Sequence, residues 1–364
     1  MEKIDVNCQN GSYNIFIDKG FEGLAEALKE IDHEGCKAFI VTDSNVAPLY
    51  LESLKSVLRN IFTQVDHSEI KAGEESKNIK TVEDLYSALI CAKYTRSDFI
   101  FALGGGVVGD IAGFLAATYK RGLRFVQVPT TLLAMADSSI GGKNGVDYNG
   151  YKNMVGSFYN PILIYDNIET LKSLEDRQFA NGFAEAMKSA IIKDSHYYEW
   201  MIDSMYEIND REDDALIELV SKSASIKKSV VENDPLDKGE RALLNLGHTI
   251  GHAIEADKIG ELLHGECVAL GTVAAAFISW KKNMLSMEEY YEIRDMFVPF
   301  NLPISVDDID KDHIIDNISN DKKVDNKGLK FILIKKIGKA VIDASVSKEE
   351  IMEALKEIEY SDEF

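Results

Sequence analysis

Three of the seven histidines crowd into one stretch, at positions 248, 252 and 264. His248 and His252 lie four residues apart in Asn245-Leu-Gly-His-Thr-Ile-Gly-His, so a helix would project both from one face. His264 follows in Leu-His-Gly-Glu, and upstream Glu185 sits in Phe-Ala-Glu-Ala-Met-Lys. A carboxylate and two imidazoles on separate helices can make an open site for a divalent metal. By spacing alone the ligand pair would be His248 and His252. Histidines that merely pack or face solvent would give the same spacing.

A second group suits phosphate. Leu103 is followed by Gly104, Gly105, Gly106, Val107, Val108, Gly109 and Asp110. The run ends an apolar stretch and opens a helical one. Glycine permits tight turns and close backbone approach, and a helix start offers free N–H groups and a favourable dipole. These residues also fit G-x-G-x-x-G, although no acidic residue ends a strand about 20 positions on, as the dinucleotide fingerprint would require. A structural turn needs glycines too. Between Pro129 and Lys143, the chain gathers Thr130, Thr131, Asp137, Ser138, Ser139 and Lys143, which suits a polyhydroxylated, phosphorylated ligand or a polar surface loop.

Elements with both periodicities must hold these groups. Lys37–Thr42, Asp98–Leu103, Arg124–Val128 and Pro161–Asp166 read as buried strands, with helical patterns at Leu49–Leu58 and Ile111–Tyr119. Such alternation predicts βαβ units, a mostly parallel sheet and ligands beyond the carboxyl ends of its strands. After about residue 170 the period becomes helical, with helices expected at Ala215–Val231, Leu243–Ala256, Cys267–Lys281 and Met287–Phe297. Phe331–Ile334 and Val341–Ala344 suit a small hairpin, and Ser347–Phe364 an acidic amphipathic helix that covers the surface. The predicted fold class is an α/β N-terminal domain with a Rossmann-like sheet (residues 1–170), followed by a predominantly α-helical C-terminal domain (171–364).

Forty Lys and Arg against 61 Asp and Glu leave a formal charge of −21. So negative a surface repels nucleic acid and anionic membranes, and neither is expected as a partner. An anionic substrate would need a local cationic cluster. Lys143, Lys152 beside Asn153, Lys188, Lys227 or Lys228, and Arg241 flank the motifs and could form one. Four cysteines without a C-x-x-C pair, and an N-terminus without a basic-then-apolar leader, suit a reduced cytoplasmic protein.

Taken together, GGGVVGDIAGFLAATYKRG, VPTTLLAMADSSIGGKNGVD, YKNMVGSFYNP, FANGFAEAMKSAII, DPLDKGERALLNLGHTIGHAIE and LLHGECVALG resemble, in order, the blocks of the 3-dehydroquinate synthase family. The resemblance runs from about Asp43 to Gly271. It implies Glu185, His248 and His264 as ligands of zinc or cobalt, and so replaces His252 of the spacing pair. It implies NAD contacts from Asp43, Asn45, Glu74, Lys77, Gly104, Gly105, Gly106, Val107, Asp110, Thr130, Thr131, Thr170 and Leu171. Asp137, Lys143, Lys188, Asn245 and His252 would serve catalysis. Lys152, Asn153, Lys227 and Arg241 would bind substrate, with one of Lys322 and Lys323 joining the anion site. Arg121 would reach a neighbouring subunit's site, implying a homodimer.

The activity so implied is conversion of 3-deoxy-D-arabino-heptulosonate 7-phosphate to 3-dehydroquinate and phosphate, a step of the shikimate pathway. NAD would take a hydride and return it, with elimination and ring closure between. Competing expectations are another sugar-phosphate cyclase (inosose or valiolone type), a metal-dependent polyol dehydrogenase, and an inactive NAD-binding regulator.

Overall fold

The structure is a computed structural model that describes residues 1–8, 11–235, 237, 239–324 and 330–360, with the side chains of 319–324 set aside. The expectation for Lys322 and Lys323 therefore lies outside the described residues. In chain order the strands are β1 (Glu2–Cys8), β2 (Gly11–Asp18), β3 (Lys37–Asp43), β4 (Gln64–Ile70), β5 (Phe99–Gly104) and β6 (Arg124–Pro129). There follow β7 (Lys143–Tyr148), β8 (Tyr151–Phe158), β9 (Leu163–Asn167), β10 (Phe331–Lys336) and β11 (Lys339–Asp343).

A seven-stranded sheet has the order β1-β2-β9-β6-β5-β3-β4, and only β1 pairs antiparallel. Its central strands read as unbroken apolar runs because both faces are covered. Side chains alternate between two cores. Phe99, Phe101 and Leu103 of β5 join Leu54, Leu58 and Phe62 on one face. Ile100 and Ala102 join Leu85, Leu89, Ile111 and Leu115 on the other. Strand order reverses between β3 and β5, and the crevice outside the carboxyl ends of such a pair is where open α/β sheets bind ligands.

The four strands expected from sequence are present, but β1, β2, β4 and the β7–β8 hairpin were not anticipated. β4 (QVDHSEI) is polar and lies at an edge, and β8 is mostly exposed, so neither carries a buried strand's apolar signature.

The chain packs as two compact units, Met1–Leu174 with Asp213–Leu236, and Glu175–Glu212 with Asp237–Phe364. Where the sequence reading drew one boundary near Leu171, the chain leaves the α/β unit, returns to it as the helix Asp213–Asn233, and leaves again. A helical period reports an apolar stripe but not the core it meets. That helix packs on β1, β2 and the turn Ala134–Ser138.

In the second unit the chain does not continue as one helix from Leu243 to Ala256. A 3-10 turn spans Glu240–Asn245, Gly247 takes a left-handed φ of 78°, and an α-helix runs His248–Asp257. This helix lies close against His264–Lys281 because glycines face the contact. A Cβ on Gly251 would come 2.6 Å from the Cys267 carbonyl oxygen, and one on Gly271 would overlap the Gly247 carbonyl. The β10–β11 hairpin forms as expected. The tail helix spans Lys348–Glu357 and buries Ile351, Ala354 and Leu355, packing on the His264–Lys281 helix.

Gly271→Ala should destabilise this unit by about 1–3 kcal/mol, the usual cost of overpacking, despite alanine's better helix propensity. Chemical denaturation measures this, and an unchanged midpoint would contradict the close approach.

Candidate active site

In the α/β unit, β5 ends at Gly104 and the helix Gly106–Thr118 begins two residues later, with Gly105 extended at the N-cap. Crowding disfavours larger residues at this turn. A Cβ on Gly104 would lie 2.6 Å from a Val108 methyl, and one on Gly105 would lie 3.0 Å from Thr131 Cγ2. The first N–H groups of the helix have no partners within it and suit a phosphate. Thr130 closes the neighbouring strand end, its N–H donating to the Gly104 carbonyl at 3.0 Å. Its buried hydroxyl has no partner among the described residues. A free N-terminal turn beside an orphaned hydroxyl fits the pyrophosphate end of a dinucleotide.

The other expected NAD contacts lie in the same unit. Asp43 ends β3 and accepts the N–H groups of Asn45 (2.9 Å) and Val46 (3.0 Å). Lys77 is buried and meets Asp110 Oδ2 at 2.6 Å and Glu74 Oε1 at 3.9 Å. Burial pushes the Asp110 carboxyl up to about 6, although the Lys77 ammonium opposes this. Burial works against the charge on Lys77, but Asp110 and Glu74 outweigh it and raise its pKa. Thr170 and Leu171 are buried in the turn after β9, with the Thr170 hydroxyl donating to the Asn167 carbonyl at 2.8 Å.

Asp137 lies in the turn Ala134–Ser138, where Lys227 Nζ reaches its Oδ1 at 2.5 Å. Lys143 and Lys152 stand exposed on the β7–β8 hairpin. Asn153 adopts φ 52°, and its N–H donates to Asp147 Oδ1 at 2.7 Å. Lys120 and Arg121 take left-handed φ values of 47° and 67°, a costly pair for non-glycine residues, and present Arg121 to solvent. Asp147 was not singled out from sequence, yet its backbone N–H donates to the Lys77 carbonyl at 2.8 Å. It therefore links an expected NAD contact to the Lys152–Asn153 turn.

In the helical unit, Glu185 lies mid-helix in Asp176–Lys193 and is 2% exposed. One turn on, Lys188 is 1% exposed and ion-pairs with Glu185 Oε2. Glu185 Oε1 faces two imidazoles, at 3.2 Å from His264 Nε2 and 3.6 Å from His248 Nε2. Four-coordinate zinc with bonds of about 2.0–2.1 Å needs ligand atoms roughly 3.3 Å apart, so the set fits such an ion. His248 Nδ1 lies 3.0 Å from the Leu246 carbonyl. A proton on Nδ1 would leave the Nε2 lone pair to face the cluster.

Burial would raise the Glu185 pKa, but Lys188 and the two imidazoles hold it well below the carboxylate range. Burial and the Lys188 cation push His248 down to about 3, keeping it neutral as a ligand must be. For His264, hydrogen bonds to Glu185 and Glu255 outweigh burial and raise its pKa to about 9. A cation at this point would compete with that proton.

Spacing alone paired His248 with His252. The i, i+4 rule does bring their rings to 4.9 Å, but His252 is exposed and the atoms that converge on Glu185 belong to His248 and His264. A second convergent set, His252, Glu255 and His264, shares one imidazole with the first. Arg241 is buried and Asn245 exposed, both in the Glu240–Asn245 turn. Glu255 and Asn181 were missed. Asn181 lies one turn before Glu185, and its Oδ1 accepts the Gly265 N–H at 2.5 Å, fixing the residue after His264. Glu255 sits two turns after His248, a spacing that helical periodicity could have revealed.

The fold is shared with solved sugar-phosphate cyclases. A solved 2-deoxy-scyllo-inosose synthase, complexed with carbaglucose-6-phosphate, NAD+ and Co2+, matches with TM-score 0.88 and 26% identity, covering 98% of this chain and 100% of that one. ValA, a 2-epi-5-epi-valiolone synthase from Streptomyces hygroscopicus subsp. jinggangensis with NAD+ and Zn2+ bound, matches with TM-score 0.88 and 26% identity over 97% and 98% of the two chains. Within that class, the family models described as 3-dehydroquinate synthase N-terminal and C-terminal match residues 67–181 and 182–324, and the chain belongs to the 3-dehydroquinate synthase family. The 3-dehydroquinate synthase of Acetivibrio thermocellus is 40% identical over 97% of this chain and 98% of its own length.

His264→Ala should abolish metal retention while far-UV circular dichroism stays unchanged. Metal content by mass spectrometry decides it, and full stoichiometry in a folded variant would remove His264 from the ligand set.

Proposed function

We propose that this chain converts 3-deoxy-D-arabino-heptulosonate 7-phosphate to 3-dehydroquinate and orthophosphate, with NAD in the α/β unit and zinc or cobalt on Glu185, His248 and His264. The observation that carries the reading is the convergence of Glu185 Oε1 with two imidazole Nε2 atoms, at 3.2 and 3.6 Å, in a chain of this family. When bound, NAD supplies a reversible hydride acceptor and the divalent ion a Lewis acid for substrate hydroxyls.

The chain's own groups bind and orient. Arg241 and Lys227 are assigned to the substrate carboxylate; a buried guanidinium suits bidentate recognition. Lys152, Asn153 and a partner subunit's Arg121 are assigned to the phosphate, which makes a homodimer the working assembly. Asp137 orients Lys227 through their ion pair. Lys188 neutralises Glu185, and with Lys143, Asn245 and His252 it holds or moves protons around the substrate hydroxyls. Against a chain whose net charge is −21, these cations supply the local attraction that a dianionic substrate needs.

The inosose- and valiolone-forming alternatives are less favoured, because their solved representatives are 26% identical and the 3-dehydroquinate synthase of A. thermocellus is 40% identical. No helix among the described residues is long and apolar enough to cross a membrane.

Orthophosphate release from the heptulosonate phosphate should require NAD and stop when a chelator is added. Release from glucose 6-phosphate or sedoheptulose 7-phosphate instead would overturn the substrate assignment. Arg241→Ala should lower kcat/KM by at least about tenfold, as loss of a charge-assisted contact does, with NAD affinity retained. Loss of NAD binding in the folded variant would refute the role given to Arg241.

A further inference from the structure

We infer that Glu255 is a positioning residue for the metal ligand His264: its carboxylate holds the imidazole so that Nε2 is presented to the ion. The inference rests on the metal reading above and assigns to that site a group outside its ligand set.

The two histidines are oriented differently. His248 takes its orientation from its own chain, with Nδ1 3.0 Å from the Leu246 carbonyl across the left-handed Gly247 turn. His264 opens a different helix, and among the described residues no local carbonyl contacts its ring in this way. Its Nδ1 instead meets Glu255 Oε2 at 3.3 Å, while its Nε2 faces Glu185 Oε1 at 3.2 Å. With Nδ1–H donating to Glu255, the lone pair sits on Nε2. A carboxylate also makes the imidazole a stronger donor than a carbonyl does. Such outer partners of metal-bound histidines alter metal affinity substantially.

The packing is built for this contact. Glu255 and His248 share the helix His248–Asp257, whose approach to the His264 helix depends on Gly251 and Gly271 lacking side chains. The Glu255 side chain is 18% exposed and that of His264 is 31% exposed, so the pair is only partly screened by water. The backbone around His264 is held separately, by Glu266 Oε2 on the Leu263 N–H at 2.7 Å and by Asn181 on Gly265. Removal of Glu255 therefore takes away the partner at Nδ1 while the contacts that hold the helix start remain.

The test compares wild type, Glu255→Ala, Glu255→Gln and His264→Ala, reading zinc affinity by chelator competition and the visible absorption of the cobalt(II) form. Glu255→Ala should bind zinc about 10–100-fold more weakly, with an altered cobalt spectrum. Glu255→Gln keeps an acceptor for Nδ1–H but loses the charge. It should fall between wild type and Glu255→Ala, with a spectrum close to wild type. Unchanged affinity and spectrum in folded Glu255→Ala would overturn the inference. If Glu255→Ala fails to fold, wild-type zinc affinity in Glu255→Gln would overturn it. Two ions per wild-type chain, of which Glu255→Ala loses one, would also overturn it, making Glu255 a ligand of a second ion with His252 and His264. Absence of metal binding in wild type would instead sink the metal reading itself. Metal lost in His264→Ala but unaffected in Glu255→Ala would sink only the present inference.

Discussion

A carboxylate with almost no water around it organises the helical unit. Glu185 is 2% exposed, and an isolated buried charge costs several kcal/mol. Its charge survives because it is met from both sides, by the Lys188 ammonium on Oε2 and by two imidazoles facing Oε1. Each compensating group must then be buried and oriented in turn. Lys188 follows on the same helix, so local spacing is enough. The imidazoles come from two other helices, and their arrival depends on how three helices pack.

Absent side chains make that packing possible. Gly265 lies where a Cβ would overlap the Asn181 carbonyl, which brings the start of the His264 helix onto the Glu185 helix. Gly251 and Gly271 do the same for the His248 helix. Backbone-to-backbone approach leaves little freedom for the histidines, and the Asn181 and Glu266 contacts remove more of it. The geometry of the Glu185, His248 and His264 cluster is a property of the packed unit rather than of any one segment.

The α/β unit solves a related problem with neutral groups. Its phosphate-type turn has no charged ligand of its own. Free N–H groups at a helix start, beside a Gly104 too crowded for a Cβ, are the donors it would offer an anion. Charge enters one layer out, where buried Lys77 and half-buried Asp110 compensate each other and Asp147 connects Lys77 to the β7–β8 hairpin. An acidic chain can present binding surfaces to anions by confining its cations to such pairs and turns.

The sequence by itself determined the buried strands, the helical second half, the glycine turn and the family, because each is written in short-range periodicity or in contiguous blocks. It missed β4, whose residues are mostly polar, and β8, none of whose residues is buried. It also drew a single domain boundary, since an amphipathic stripe does not say which core it will meet. Spacing found His248 and His252 on one face but could not rank them, and the resemblance was needed to bring in His264. Only tertiary structure decided which imidazole nitrogens meet Glu185, and that Glu255 stands behind His264. Those contacts join residues 79 and 9 positions apart, across helices whose mutual approach is set by side-chain volume at a few glycines. No local pattern encodes that approach.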